Sequence, residues 1–282
     1  MNIDYQIKPM SRVELNLAID WAAEEGWNPG LHDADAFYAA DPSGYLIGYL
    51  KDEPVGCISV VKYGDSFGFL GFYIVRPEFR GEGYGYALWQ AGINSLQGRQ
   101  TGLDGVVEQQ PNYRKSGFNL AYRNIRQEGR AGYSAPANQP IVCLRTVSLQ
   151  SVIDYDQPFF PADRERFLRA WLNMPDTKAL GYVNQDRLLG YGMIRPCRSG
   201  YKIGPLFADS PDIAEELFLC LQADALADSP IYLDTPEVNE SALQLAKRYD
   251  MQPVFETARM YTGVPPDLPT SRIFGVTTFE LG

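Results

Sequence analysis

The chain has 282 residues, enough for one large domain or two of ordinary size, and its 45% hydrophobic and 21% charged residues fit a packed globular protein. The formal net charge of −10 argues against binding to nucleic acid or to an anionic membrane, because either partner requires a basic surface. The single histidine, His32, argues against a His-rich metal site, and no GxSxG motif supplies the serine of a Ser-His-Asp triad.

The first half of the chain is predicted to alternate helices with mostly antiparallel strands. A helix over residues 11–25 carries apolar side chains at helical spacing, and Ser11 with Glu14 forms a capping box at its start. The other predicted elements are a helix at 33–40, strands at 45–51, 55–63 and 67–75, a helix at 84–96, a strand at 103–107, a helix at 112–116, and strands at 118–125 and 141–147.

The second half repeats this order at an offset of about 130 residues, which indicates an internal duplication. Leu233-Asp234 matches Leu103-Asp104 in this repeat, and a GYV…LLGYG hairpin matches GYL…PVGC of residues 48–57. We therefore predict two tandem domains, residues 1–147 and 148–282. The predicted elements of the second are a helix including 167–172, strands at 179–183, 188–194 and 202–207, a helix at 213–227, a strand at 231–233 and a helix at about 239–249.

A glycine-rich segment, VRPEFRGEGYG, joins the third predicted strand to the next helix. Pro77 ends the strand because it has no N–H to donate. Gly81, Gly83 and Gly85 let the backbone turn sharply and approach a ligand closely. The N–H groups of the first helical turn and the helix dipole suit a pyrophosphate, and Arg80 adds a positive charge.

This R-x-x-G-x-G pattern after V-x-P, with the element order around it, resembles the GCN5-related N-acetyltransferase (GNAT) family over residues 1–147. The resemblance implies an α/β (α+β) fold, with a mixed, mostly antiparallel central sheet flanked by helices. In that family the loop holds the pyrophosphate of acetyl-CoA, and the preceding strand binds the pantetheine arm through its backbone. The implied acetyl-CoA contacts are Tyr73, Ile74, Val75, Arg80, Gly81, Glu82, Gly83, Tyr84, Gly85 and Tyr86.

The resemblance also implies catalytic residues. Tyr113, in YRKSGF, matches a family tyrosine that protonates the departing CoA thiolate, and a phenol is still protonated where a thiol ionises. The alternative for Tyr113 is a core tyrosine. Glu108 is the candidate general base with Asp104 as its competitor, both being otherwise solvated carboxylates, although the segment between Leu103 and Tyr113 is shorter than usual in the family.

A second cluster, GWNPGLHD, lies between the first two predicted helices, where the family's acceptor pocket forms. The implied acceptor contacts are Trp27, Asn28, His32 and Asp33, with His32 also a minor candidate for the base. The alternative is a capped turn anchored by Trp27.

The second half resembles a degenerate C-terminal acetyltransferase-like domain of the tandem form of the family. Where the first half has its glycine-rich loop, this half has DSPDIA, in which two aspartates would repel a phosphate and Ser210-Pro211 is typical of a helix start. Ala246 stands in the place of Tyr113. We expect this half to bind no CoA in the usual way but to close over the first and complete the acceptor pocket, with residues 265–282 docked as an added strand.

These expectations combine into an acetyl-CoA-dependent N-acetyltransferase that acts on a primary amine by direct attack, without a metal. The predicted acceptor is a small molecule. The alternatives are a protein lysine or N-terminus as acceptor, and a non-catalytic acyl-CoA-binding sensor. No nucleic acid or membrane partner is expected, and the sequence leaves the oligomeric state open.

The predicted location is the cytoplasm. Cys57, Cys143, Cys197 and Cys220 form no CxxC pair and are expected to be free thiols in a reducing compartment. The first ten residues lack the apolar stretch of a signal peptide. The longest apolar run is far shorter than the roughly 20 residues of a membrane span.

Overall fold

The computed structural model describes residues 4–137 and 140–282, which form thirteen strands and eight α-helices. The strands are β1 Tyr5–Pro9, β2 Tyr45–Leu50, β3 Glu53–Tyr63, β4 Phe67–Val75, β5 Gln100–Val106, β6 Phe118–Arg130, β7 Ile141–Cys143, β8 Lys178–Asn184, β9 Arg187–Pro196, β10 Tyr201–Ala208, β11 Pro230–Pro236, β12 Gln252–Thr262 and β13 Ile273–Gly275. The helices are α1 Leu15–Glu24, α2 Asp33–Ala40, α3 Tyr84–Ser95, α4 Gln110–Lys115, α5 Leu149–Asp156, α6 Glu165–Trp171, α7 Pro211–Gln222 and α8 Glu240–Arg248. In these ranges no helix has both the length and the apolar character needed to cross a membrane.

Two predicted helix starts are confirmed. Ser11 and Glu14 exchange hydrogen bonds as a capping box, Ser11 N–H to Glu14 Oε2 at 2.7 Å and Glu14 N–H to Ser11 Oγ at 3.2 Å. The regular helix α1, however, begins only at Leu15, directly after Glu14 and later than predicted. Hydrogen bonds from the backbone and side chain of Ser11 to the Glu14 carboxyl, with those from Lys8 and Tyr49, lower its pKa to about 2. Ser210 caps α7 by accepting the N–H of Ile213, with Pro211 as the first helical residue. Helix α7 ends earlier than predicted.

The described strands form one continuous sheet in the order β1-β2-β3-β4-β5-β12-β6-β11-β10-β9-β8-β7, and β13 pairs separately with β10. Among them the pairs β4–β5 and β10–β11 run parallel and the other pairs run antiparallel. The predicted fold class, a mixed and mostly antiparallel sheet flanked by helices, is therefore confirmed. The same order of parallel and antiparallel pairs occurs in both halves of the chain.

The two halves exchange one strand each at the centre of this sheet. Strand β12, from the second half, lies between β5 and β6 of the first. Strand β6 in turn pairs with β11 of the second half. The predicted domain division at 147/148 stays a prediction. Because of the exchange, dividing the sequence there does not divide the sheet into two separate parts. Strand β12 was absent from the predicted elements, and local pattern does not specify a partner so distant in sequence.

One hydrophobic core is built from both halves. It joins α1 and α2 to α5 and α6, and in it Phe37 of α2 stacks on Trp171 of α6 with ring centroids 6.0 Å apart. Phe72 of β4 meets Phe37 edge to face at 5.7 Å. Because this shared core holds the halves together, side chains of the second half are brought close to strand β4.

Each parallel strand pair diverges after a few residues. Pairing of β4 with β5 stops at Leu70 and Leu103, and pairing of β10 with β11 stops at Ile203 and Leu233. In the second half, β13 fills the resulting gap. It pairs with β10, and the N–H of Val276, just after β13, donates to the carbonyl of Asp234 in β11 at 2.9 Å. The predicted docking of the tail as an added strand is confirmed, and the gap of the first half stays open.

Candidate active site

A cavity of about 370 Å³ lies in the open gap between the diverging ends of β4 and β5. Its lining includes residues from both halves of the chain. The first half contributes Glu25, Trp27, Leu70, Gly71, Phe72, Tyr73, Ile74, Val75, Arg80, Leu103, Asp104, Gly105, Val106, Gln109 and Tyr113. The second half contributes Phe255, Thr257, Phe279 and Glu280.

The glycine-rich loop leads from the end of β4 into helix α3. Gly81 and Gly83 have φ angles of +86° and +88°, in the left-handed region where a side chain would be strained, and Gly83 caps α3. The first N–H groups of a helix have no acceptor within it, and the helix dipole makes this end positive. This turn therefore offers the donors that a pyrophosphate requires.

Gly85 and Arg80 fix the loop against strand β4. A Cβ atom on Gly85 would lie 2.9 Å from both the Tyr73 hydroxyl and Val75 Cγ2, so only glycine allows α3 to pack this closely on β4. Arg80 donates from Nε to the carbonyl of Val75 at 2.8 Å and pairs with Glu25 at the end of α1. The positive charge of Arg80 is thus held at the cavity wall.

Strand β4 carries a β-bulge where it lines the cavity. Phe72 has a φ angle of +43°, and the register with β3 shifts between Cys57 and Ser59. A bulge turns backbone N–H and C=O groups out of the strand ladder. Backbone groups of the bulge therefore lie in the cavity wall, which includes Gly71 and Phe72.

Tyr113 lies in α4 and lines the cavity. Its ring stacks on Trp89 at 5.5 Å and contacts Gly105. Burial, followed by the neighbours Tyr73 and Glu108, raises the pKa of Tyr113 above its ordinary value, so the phenol keeps its proton at neutral pH.

The two carboxylates suggested as the base have different surroundings. Asp104 lines the cavity but is paired: it accepts from Arg259 Nε at 3.0 Å and from Asn124 Nδ2 at 2.8 Å. Glu108 lies in a 3₁₀ turn, Val107–Gln109, and is exposed outside the cavity lining. The base role of Glu108 stays a prediction.

Among the predicted acceptor contacts, Trp27 lines the cavity. Asn28 hydrogen-bonds the backbone of Ser199 on the second half, at 2.9 Å in both directions. Asp33 is buried in an ion pair with Arg195, at 2.9 Å from Nε. His32 Nε2 lies 3.1 Å from Asp176. The described contacts of Asn28, His32 and Asp33 thus join the halves, and their role in binding an acceptor stays a prediction.

The predicted acetyl-CoA contacts fall into two groups. The cavity lining brings together Tyr73, Ile74, Val75 and Arg80. The adjoining loop and first helical turn hold Gly81, Glu82, Gly83, Tyr84, Gly85 and Tyr86, of which Tyr84 is buried, Gly85 is half-buried and the other four are exposed. Sequence reasoning missed Gly105 and the four lining residues of the second half. The segment of β12 shows no regular alternation of apolar and polar residues, so no local sequence signal pointed to this set.

Comparisons of the sequence with known proteins agree with this geometry. A model of the acetyltransferase (GNAT) family matches residues 14–118, and a model of the acetyltransferase (GNAT) domain matches residues 152–275. A holothin acyltransferase from Pseudoalteromonas sp. (strain SANK 73390) is 30% identical over 275 residues, 98% of this chain and 94% of the relative. The uncharacterized N-acetyltransferase YitH of Bacillus subtilis is 22% identical over 219 residues, 74% of this chain and 77% of its own length.

Solved structures show the same fold. A candidate acetyltransferase from Pyrococcus horikoshii superimposes with a TM-score of 0.84 at 22% identity, over 100% of this chain and 97% of that one. A tandem GNAT protein from the clavulanic acid biosynthesis pathway gives a TM-score of 0.62 at 13% identity, over 93% and 100% of the two chains. With the family matches in both halves and the near full-length acyltransferase relative, these likenesses show that the chain belongs to the GNAT acetyltransferase family, in its tandem form, and is an acyltransferase.

Proposed function

We propose that the chain transfers the acetyl group of acetyl-CoA to a primary amine of a small molecule. One observation carries this proposal. A single cavity joins the glycine-rich loop at Arg80 to the phenol of Tyr113 and to the four lining residues of the second half. Such a cavity accommodates both the thioester and an acceptor.

The acyl-CoA substrate would follow strand β4. The first turn of α3 binds the pyrophosphate, and the unpaired edge of β4 offers backbone groups to the pantetheine arm. From Val75 to Gly71 the strand rises about 13 Å. An arm extended along it from the loop brings the thioester to the bulge at Phe72, within the cavity that Tyr113 also lines.

The reaction is a direct attack. The amine lone pair forms a bond to the thioester carbonyl carbon, the C–S bond breaks, and the sulfur leaves with that bond's electrons as a thiolate. The attacking nitrogen loses one proton to solvent as the amide forms. Backbone N–H groups at the bulge stabilise the negative charge that develops on the carbonyl oxygen. Tyr113 donates its phenolic proton to the thiolate and recovers one from solvent.

The size and character of the cavity favour a small acceptor. A volume of about 370 Å³ lies within the range of small-molecule sites, and Trp27, Phe255 and Phe279 give it aromatic walls. The near full-length relative is named for the acylation of holothin. A protein lysine would need an open groove, whereas residues of β12 and the tail close this end. A non-catalytic sensor would need no proton donor at the thioester, so Tyr113 in the lining favours turnover.

Calorimetry with acetyl-CoA tests the binding step on the wild type, Gly83→Glu and the control Gly98→Glu. Gly98 matches Gly83 in its left-handed backbone, with φ of +80°, and in having open space around it, but lies in the turn after α3. We expect binding by the wild type and by Gly98→Glu, and none by Gly83→Glu, since a carboxylate there repels the pyrophosphate. Absence of binding to the wild type would overturn the proposal.

Turnover is measured as CoA release with a thiol reagent across a panel of amines. The panel holds primary alkylamines, arylamines and lysine peptides, and Tyr113→Phe serves as the variant that lacks the proton donor. We expect turnover with one or more small primary amines and a loss of kcat of about 10²- to 10⁴-fold in Tyr113→Phe. Preferred turnover of lysine peptides would reject the small acceptor, and binding without turnover of any amine would reject the enzyme.

A further inference from the structure

Glu280 lines the active-site cavity, and its carboxylate has no hydrogen-bond or ion-pair partner in the part of the chain that the structure describes. The residue is 4% exposed, and within residues 4–137 and 140–282 its side chain has no hydrogen bond and no ion pair. A buried, ionisable group is costly unless something compensates its charge. An unpartnered carboxylate in a cavity wall is therefore suited to a cationic or hydrogen-bonding ligand.

The other carboxylates of the lining are already engaged. Asp104 is held by Arg259 and Asn124, and Glu25 is paired with Arg80. Neither has the freedom to bind a further cation without giving up its present partner. Glu280 therefore is the lining carboxylate left for a ligand.

Residues beside Glu280 hold it rigidly at the bulge of β4. Thr278 Oγ1 accepts the N–H of Glu280 at 2.9 Å and that of Leu281 at 3.0 Å. The carbonyl oxygen of Glu280 lies so close to Gly71 that a Cβ atom there would be 2.4 Å away. Glu280 thus sits at the end of the β4 gap opposite the glycine-rich loop, which is where the thioester and the acceptor would meet.

Charged groups around Glu280 come from several elements. Arg126, Arg195 and Lys202 attract its carboxylate. The two arginines are already paired, Arg126 with Asp234 and Arg195 with Asp33. The Lys202 ammonium donates to the carbonyl of Asn28 at 3.0 Å and has no carboxylate within ion-pair distance among the described residues. Among the described residues none of these three cations forms an ion pair with Glu280, so its carboxylate stays available to a ligand.

We propose, on the basis of the proposed function, that Glu280 binds the ammonium form of the acceptor and takes its proton. The N–H bond of the ammonium breaks and its proton moves to a Glu280 carboxylate oxygen. The freed lone pair attacks the thioester carbon of acetyl-CoA, and the C–S bond breaks. The nitrogen then releases its second proton to solvent as the amide forms. The leaving thiolate takes the proton of Tyr113, which regains one from solvent. Glu280 then returns its proton to solvent. The second half of the chain thereby supplies a catalytic residue to the site of the first.

The test uses the full chain with Glu280→Gln, which keeps the shape and removes the charge, and Glu280→Asp, which keeps the charge one methylene further back. Glu240→Gln is the control, because Glu240 lies exposed in the first turn of α8. We expect kcat/KM for the best alkylamine of the panel to fall about 10²- to 10⁴-fold in Glu280→Gln and less in Glu280→Asp. Acetyl-CoA affinity should stay within about threefold of the wild type, as should every constant of Glu240→Gln.

A second readout separates catalysis from a merely structural role. An arylamine is already neutral at pH 7 and needs no base, so Glu280→Gln should lose at least tenfold less activity with the best arylamine than with the best alkylamine. Wild-type turnover confined to alkylamines also supports the proposal. Equal losses for both amine classes, turnover confined to arylamines, or a larger loss in Glu108→Gln than in Glu280→Gln would overturn it. If Glu280→Gln does not fold, the kinetics of Glu280→Asp and the preference of the wild type between alkylamines and arylamines test the proposal. Failure of the wild type to bind acetyl-CoA would instead refute the proposed function.

Discussion

The ring of Tyr113 occupies the space that a side chain at position 105 would need. A Cβ atom on Gly105 would lie 2.2 Å from Cε2 of Tyr113 and 2.9 Å from two further ring atoms. Trp89 stacks on the same ring at 5.5 Å. The position of the phenol in the cavity therefore depends on the glycine in β5 and not on α4 alone.

Gly105→Ala is expected to displace Tyr113 and to lower kcat toward the value of Tyr113→Phe, with little change in acetyl-CoA affinity. If the two changes act through one phenol, the double variant should be no slower than Tyr113→Phe. Steady-state kinetics and calorimetry measure both quantities. Gly102→Ala in the same strand is the control, because its Cβ would meet Tyr261 and Phe69 at 3.0 and 3.1 Å but not Tyr113. Additive losses in the double variant would contradict this coupling.

The sequence predicted those parts of the site that depend on local backbone conformation. The left-handed φ angles of Gly81 and Gly83 require glycine, so the loop is visible in the sequence itself. The capping box of Ser11 and the Ser210-Pro211 helix start are likewise encoded within four residues. Conformations of this kind leave a residue-type signature at fixed spacing.

Long-range contacts left no such signature. Glu280 reaches β4 because its tail crosses from the gap filled by β13 to the bulge at Gly71, more than 200 residues earlier in the chain. Asp104 is the competitor of Glu108 for the role of base, but its pairing with Arg259 arises from the insertion of β12 beside β5. The residues next to Asp104 in sequence do not determine the insertion of β12, and those next to Glu280 do not determine the path of the tail.

The strand exchange predicts that residues 1–147 do not fold alone. Without β12, both β5 and β6 lose a neighbouring strand, and Asp104 loses Arg259 while remaining in the apolar surroundings of the sheet. We expect the 1–147 fragment to be aggregated or unfolded, and co-expression with residues 148–282 to restore a complex that binds acetyl-CoA. Gel filtration and circular dichroism of the fragment, alone and co-expressed, measure this. A soluble, monomeric and cooperatively unfolding 1–147 fragment would contradict the expectation.

The buried ion pair of Arg126 and Asp234 also crosses the exchange, since it joins β6 to β11. Arg126 donates from Nε and from its second terminal nitrogen to the two oxygens of Asp234 at 2.7 and 2.8 Å, and both side chains are at most 3% exposed. Burial alone would raise the pKa of Asp234, but the charge and hydrogen bonds of Arg126 outweigh burial and hold that pKa below its ordinary value.

Asp234→Asn is therefore expected to lower the free energy of unfolding by about 3–5 kcal/mol at pH 7, because it leaves a buried arginine without its counter-charge. Since the folded pKa of Asp234 lies below its unfolded value of about 3.9, the stabilisation is complete above that pH and is lost as the pH falls through the folded pKa. Urea unfolding at pH 7 and at steps below pH 4 measures the difference, which should shrink on acidification. Asp35→Asn, in an exposed pair with Arg12, is the control and should cost at most about 1 kcal/mol. Equal losses in the two variants, or a difference that does not depend on pH below 4, would show that the Arg126–Asp234 charge pair does not stabilise the exchanged sheet.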